Sequence, residues 1–177
     1  GAKAGPQAGA GCARVLHKRV DGVLGLNVPA ALPASSLQGL RVPLVPVGSR
    51  IAGLPGVQVD DVGIGTMATR HLLALGHSRI GFLGLDPDDM YGFTVAADRE
   101  RGYEKALRKY RVAGDPSLVG VTGFPIEGGS RELVRLWLEA GKDLKRMPTA
   151  AFDGSDAVAM GGRHAAPHHG RRLPEDA

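Results

Sequence analysis

A chain of 177 residues is long enough for one mid-sized domain or two small lobes, and 43% hydrophobic with 23% charged residues is an ordinary globular balance. No apolar run approaches the roughly 18 residues of a membrane span, and the single cysteine, Cys12, excludes an internal disulfide and a cysteine-built zinc site. The formal net charge of +4 is modest and sits partly in the tail at Arg163, Arg171 and Arg172, so it describes a solvated surface rather than a nucleic-acid footprint.

Residues 1–19 are rich in glycine and are expected to be poorly structured or a degenerate helix, and Gly1-Ala-Lys-Ala-Gly-Pro6 lacks the apolar stretch of a secretory leader. Val20-Asp-Gly-Val-Leu-Gly-Leu26 is the first strand-like run. Val42-Pro-Leu-Val-Pro-Val47 is the second, and its prolines demote it to an edge or irregular strand. Gly56-Val-Gln-Val-Asp60 reads as a third. A helix follows from about Gly65 to Leu75, closed by Gly76. Arg79-Ile-Gly-Phe-Leu-Gly-Leu85 is nearly all apolar, as a strand covered on both faces must be. Asp86-Pro-Asp-Asp-Met-Tyr-Gly92 has the composition of a linker. Beyond it come a helix over 96–112 stopped at Gly114, a strand over 118–121 and a helix over 129–140 ending at Gly141. A strand at Thr149-Ala-Ala-Phe152 follows, then a helix capped by Ser155 or Asp156. Strand and helix alternating at this spacing predict parallel βαβ units, an α/β fold with parallel sheets.

Several motifs invite a chemical reading. Gly63-Ile-Gly65-Thr-Met-Ala68 is a G-x-G-x-x-A sequence between a strand and a helix, with Asp86 at the end of the next strand, which is the pattern of a nicotinamide-dependent oxidoreductase. Asp60 and Asp61 stand where a pyrophosphate would approach and would repel it. Asp86, Asp88 and Asp89 suggest calcium, but Met90 and Tyr91 occupy positions that an EF-hand gives to an oxygen ligand and glycine. His164 and His168 have the i, i+4 spacing of a metal-binding pair, yet Pro167 between them is expected to disturb such a helix. Ser130, Ser155 and the histidines form no nucleophile constellation, so the chain is not read as an enzyme, and neither cofactor nor metal is implied.

Val20-Asp-Gly-Val-Leu24, Val57-Gln-Val-Asp-Asp-Val-Gly63 and Ala68-Thr-Arg-His-Leu-Leu-Ala-Leu-Gly-His-Ser-Arg-Ile-Gly-Phe-Leu-Gly84 together resemble the core of LacI/GalR-family transcription regulators. Asp98-Arg-Glu-Arg-Gly-Tyr-Glu-Lys-Ala-Leu107 is similar to the family's helix with an Arg-x-x-Gly-aromatic signature. Pro148-Thr-Ala-Ala-Phe152, Ser155-Asp-Ala-Val-Ala-Met-Gly161 and Leu173-Pro-Glu-Asp176 continue the resemblance in order. It covers about residues 19 to 176 and implies a two-lobe periplasmic-binding-protein-like fold with an effector held between the lobes. The expected division is an N-terminal lobe over 20–86, a crossover linker over 87–94 and a C-terminal lobe over 95–177. Both lobes are partial, because the family's DNA-binding headpiece and first elements have no counterpart and the fold is expected to be incomplete at both ends.

The resemblance further implies a cytoplasmic regulator, a homodimer, with a sugar or nucleoside as effector and operator DNA bound only through the headpiece. An exported sugar-binding protein of a transporter shares the fold and is the alternative. Carried over by position, Arg99 matches the family's effector-binding arginine, whose donor fork suits paired sugar hydroxyls or a carboxylate. Phe124 falls where the family places a ligand-stacking aromatic. Ser155 and Asp156 match a polar pair at a strand end in the cleft, although both equally suit a helix cap. Phe93 and Val95 lie in the crossover that lines the pocket. The competing role for Arg99 is a surface ion pair with Asp98 or Glu104.

Overall fold

The computed structural model describes residues 20–26, 28, 42–85, 94–122, 126–140, 146–168 and 170. In chain order the elements are β1 (Val23–Leu26), β2 (Leu44–Val47), α1 (Asp61–Ala74), β3 (Ile80–Leu85), α2 (Val95–Lys109), β4 (Val119–Thr122), α3 (Ile126–Ala140), β5 (Ala150–Asp153) and α4 (Asp156–His168). They fall into two compact units, one holding β1 and β2, the other holding everything from Asp60 through α4. The expected α/β class with parallel sheets is therefore what forms, but the elements divide differently. α1 and β3, assigned from sequence to an N-terminal lobe ending at residue 86, pack with the later elements because Leu72, Leu73, Ile80 and Phe82 share a core with Tyr103 and Leu107.

In the first unit β1 and β2 pair in parallel, with Gly25 opposite Pro46. Val57 adds only an isolated bridge to Val47, donating its N–H to the Pro46 carbonyl at 2.9 Å. The proline-containing run is an edge strand of this two-stranded sheet, as expected, and Pro46 takes part in the outer bridge only as an acceptor. One expectation changes here. Gly56–Asp60 is not a strand, because after Val57 the chain turns at Asp60 into α1.

The second unit is built on a parallel sheet of order β4-β3-β5. β3 is bonded on both sides, with Phe82 opposite both Val119 and Phe152. Alternation along β3 sends Ile80 and Phe82 to one face, against Tyr103 and Leu107 of α2, and Leu83 to the other, against Leu133 and Leu136 of α3 and Val158 of α4. Phe82, at 1% exposure, stacks on Tyr103 with ring centroids 5.4 Å apart, and Phe152 lies against it at 5.5 Å. The Tyr103 hydroxyl donates to the Ile80 carbonyl at 2.8 Å, so the one polar atom of this ring is satisfied inside the core.

α1 begins four residues before the expected start. Asp60 caps it, its carboxylate accepting the Gly63 N–H at 2.8 Å, and Asp61 adds a negative charge to the first turn. It ends at the expected glycine. Gly76 has φ +94°, and the His77 and Gly76 N–H groups return to the Leu72 and Leu73 carbonyls in a Schellman motif. α1 and α2 cross where Gly65 meets Gly102. A Cβ on Gly65 would collide with the Arg99 carbonyl, and one on Gly102 with the Val62 carbonyl. α2 stops at Lys109 rather than Val112, α3 starts at Ile126 rather than Gly129, and α4 runs through Pro167 to His168. The proline sits in the last turn, where the single backbone bond it removes does not break the helix.

Candidate functional site

In an open parallel sheet, ligands gather outside the carboxyl ends of the strands where successive connections leave for opposite faces. Here β3 feeds α2 on one face and β5 feeds α4 on the other, so the carboxyl ends of β3 and β5 diverge. Arg99 reaches that point. It projects from the second turn of α2, its Nη1 donating to the Gly154 carbonyl at 2.7 Å and its Nε to Asp61 Oδ1 at 2.9 Å. Nη2 has no partner among the described residues. The Arg99 side chain is 25% exposed and that of Asp61 12%, so the pair is partly withdrawn from solvent while part of the guanidinium remains open to it.

The anchoring is built from three elements. Asp61 is the first residue of α1, held there by the Asp60 cap. The α1–α2 crossing brings the helices close enough for Arg99 to reach it. Gly154 is fixed by its own N–H, which donates to the Leu83 carbonyl at 2.7 Å. Neither partner considered from sequence is used: Asp98 pairs with Arg101, and Glu104 with Arg108 at 3.1 Å. Sequence reasoning missed Asp61 as a partner because 38 residues separate it from Arg99.

Ser155 is the N-cap of α4, its Oγ accepting the Val158 N–H at 3.3 Å, while Asp156 accepts the Ala157 N–H at 2.9 Å and is exposed. The structure thus sets both beside the Gly154 carbonyl that Arg99 holds, and gives both a capping role. Val95 is the half-buried first residue of α2, one helical turn before Arg99. Phe93, Phe124, the linker over 87–93 and Asp86 lie outside the described residues, as do Asp88 and Asp89.

Two further polar groups mark the same edge of the sheet. Asp153, the last residue of β5, is mostly buried, its Oδ1 has no hydrogen-bond partner among the described residues, and burial pushes its carboxyl up to about 6. Thr122, the last residue of β4, has a buried hydroxyl that is also unpartnered among them. Neither stood out in the sequence. Three surface hollows, beside α1, along α2 and between α3 and α4, are lined by residues other than Arg99, Ser155 and Asp156.

The chemical motifs resolve differently. Gly63 and Gly65 lie inside α1, and the Asp60 carboxylate occupies the helix N-terminus where a dinucleotide would place its phosphates. The glycines serve the cap and the α2 crossing instead. His164 and His168 are exposed on an unbroken α4, contrary to the expected disruption. Among the described residues no group of three or more His, Cys, Asp or Glu side chains is placed to hold a metal ion. Ser130 donates its hydroxyl to the Gly161 carbonyl, tying α3 to α4. No described helix is long and apolar enough to cross a membrane.

Comparison with known proteins bears on the family and the fold. Residues 69–177 match the periplasmic binding protein-like domain family. The chain is 30% identical over 165 residues to the HTH-type transcriptional repressor CytR of Escherichia coli, covering 92% of this chain and 46% of that protein. Among solved structures, a LacI family transcriptional regulator from Mycobacterium smegmatis is 31% identical with a TM-score of 0.76, over 97% of this chain and 61% of the other. A complex of the transcriptional regulator CelR with cellobiose is 29% identical with a TM-score of 0.75, over 96% of this chain and 50% of the other. The chain thus spans about half the length of the repressor it matches.

Proposed function

The chain belongs to the periplasmic binding protein-like family, in the form found in LacI-type transcription regulators, and on that premise we propose that it is the effector-binding portion of such a regulator. The effector is a sugar or nucleoside bound at the carboxyl ends of β3 and β5. The observation that carries this reading is the placement of Arg99: the residue matching the family's effector-binding arginine stands at the switch point of the sheet, anchored through two of its nitrogens. Ser155 and Asp156 flank it, and Phe124, Phe93 and Val95 complete the proposed contact set. The cellobiose held by the CelR relative supports a hydroxylated effector.

The rest of the proposal follows the family. The domain performs no catalysis, works in the cytoplasm and pairs as a homodimer. Operator DNA is read through an N-terminal headpiece rather than by this domain. Effector binding changes DNA affinity as a coupling between two sites.

Isothermal calorimetry against a panel of neutral sugars and nucleosides tests the site. Arg99→Ala is expected to weaken binding by at least about tenfold, since a charge-assisted hydrogen bond in a shielded site is worth about 1.5–3 kcal/mol. Arg99→Lys restores only part, because one ammonium cannot hold Asp61, Gly154 and a ligand in fixed directions. Unchanged affinity in Arg99→Ala moves the site elsewhere.

A further inference from the structure

We propose that Asp61 makes this a site for uncharged, hydroxylated ligands and excludes carboxylates and phosphate esters; the inference rests on the effector reading above and narrows it. An arginine recognises an anion through a fork of two parallel N–H donors, either along its Nε/Nη2 side or across its Nη1/Nη2 end. Asp61 takes Nε at 2.9 Å, which breaks the Nε/Nη2 fork, and the Gly154 carbonyl takes one N–H of Nη1 at 2.7 Å. What remains for a ligand is the two N–H groups of Nη2 and the second of Nη1, which hydroxyl oxygens accept as readily as an anion does.

Charge points the same way. The guanidinium is already neutralised by a carboxylate that is only 12% exposed, so the pair is weakly screened and an arriving anion meets no net positive charge. It meets negative charge instead: Asp61 on α1, and Asp153 and Asp156 on either side of the Gly154-Ser155 turn that Arg99 holds. The described cation nearest to Arg99 in sequence, Arg101, is committed to Asp98. Carboxylates accept from ligand hydroxyls, so the same surroundings that repel a phosphate ester favour a polyol or a ribose ring. The ligand's class is thus set by a residue whose partner is the arginine and not the ligand, which makes Asp61 a positioning and specificity residue.

The test pairs neutral ligands with their charged counterparts on the full chain: ribose with ribose 5-phosphate and glucose with glucose 6-phosphate, by calorimetry, in wild type and Asp61→Asn. Wild type is expected to prefer the neutral member at least tenfold, and Asp61→Asn to narrow that preference at least tenfold by removing the carboxylate charge that neutralises Arg99. Inorganic phosphate, titrated while the Arg99 Nε–H resonance is followed by NMR, supplies a readout that needs no sugar. Wild type stays silent at millimolar phosphate, and the variant shifts. Thermal unfolding checks that Asp61→Asn is folded, with Asp61→Ser as the second variant. A wild-type chain that prefers the phosphate ester, or an Asp61→Asn chain with unchanged selectivity and no phosphate shift, overturns the inference while leaving the effector site intact. Loss of neutral binding selectively in Arg99→Ala keeps that site; no effect of Arg99→Ala removes both.

Discussion

Asp153 is the residue whose environment is most at odds with its chemistry. It ends β5 with one carboxylate oxygen buried and unpartnered among the described residues, and burial raises its folded-state value from 3.8 to about 6. A carboxyl whose folded value is raised binds its proton more tightly in the native state than in the unfolded one. Its cost to stability is therefore absent below about pH 4, grows as pH rises toward 6 and is complete above that. A shift of that size corresponds to about 3 kcal/mol as an upper figure. Asp153→Asn is expected to raise stability at pH 7 by about 1–3 kcal/mol and to flatten the slope between pH 4 and 6, as read from urea unfolding across that range. Equal stability of the two proteins at pH 7 would mean that water or a partner already satisfies the carboxylate. The sequence held no sign of this, because Asp153 follows apolar Phe152 at a strand end and looks like the start of a turn. Arg99 was legible only through the family signature around it. Its anchors were not, since Asp61 lies on another helix and the Gly154 carbonyl is a backbone atom that no side-chain pattern records.

At the scale of the element, a helix end and a helix crossing carry two opposite tests. α2 closes with Arg111 at φ +58°, the Val112 N–H returning to the Leu107 carbonyl at 3.0 Å. That left-handed position suits glycine and costs an arginine about 1 kcal/mol. Arg111 is exposed, so Arg111→Gly is expected to stabilise the fold by about 0.5–1 kcal/mol, measured as a higher urea midpoint at unchanged slope. A lower midpoint would show that the arginine side chain holds something the turn needs. Gly65→Ala works the other way. The added methyl collides with the Arg99 carbonyl across the α1–α2 contact, where neither backbone can yield cheaply, and a loss of about 2–3 kcal/mol is expected in the same assay. These elements also show where the sequence was sufficient. The apolar β3, the glycine stop of α1 and the order of strands and helices followed from periodicity and turn chemistry. The start of α1 did not, because Asp60 was weighed as a charge opposing a phosphate when its physical role is to cap the helix. Pro167 was given the weight of a helix-interior proline, whereas a last-turn position costs it little.

Over the whole molecule, stability is expected to be unequal, and the reason lies in how each strand is paired. β3 is bonded along both edges and buried on both faces, with Ile80, Phe82 and Leu83 at 1% exposure or less. Opening it breaks two ladders and both apolar clusters at once, so its amides should exchange only through global unfolding. β1 is different. Its one described ladder is the four-residue register with β2, and Leu24 and Leu26 are 72% and 74% exposed. Hydrogen–deuterium exchange followed by mass spectrometry is therefore expected to find peptides over Ile80–Leu85 protected at least about a hundredfold longer than those over Val23–Leu26, with the α1 and α2 peptides that pack on β3 closer to the slow limit. A hundredfold corresponds to a difference in opening free energy of about 2.7 kcal/mol, comparable to the burial of a single side chain such as Phe82. Uniform protection across both units would show that they open as one, and the independent core assigned to the second unit would have to be given up.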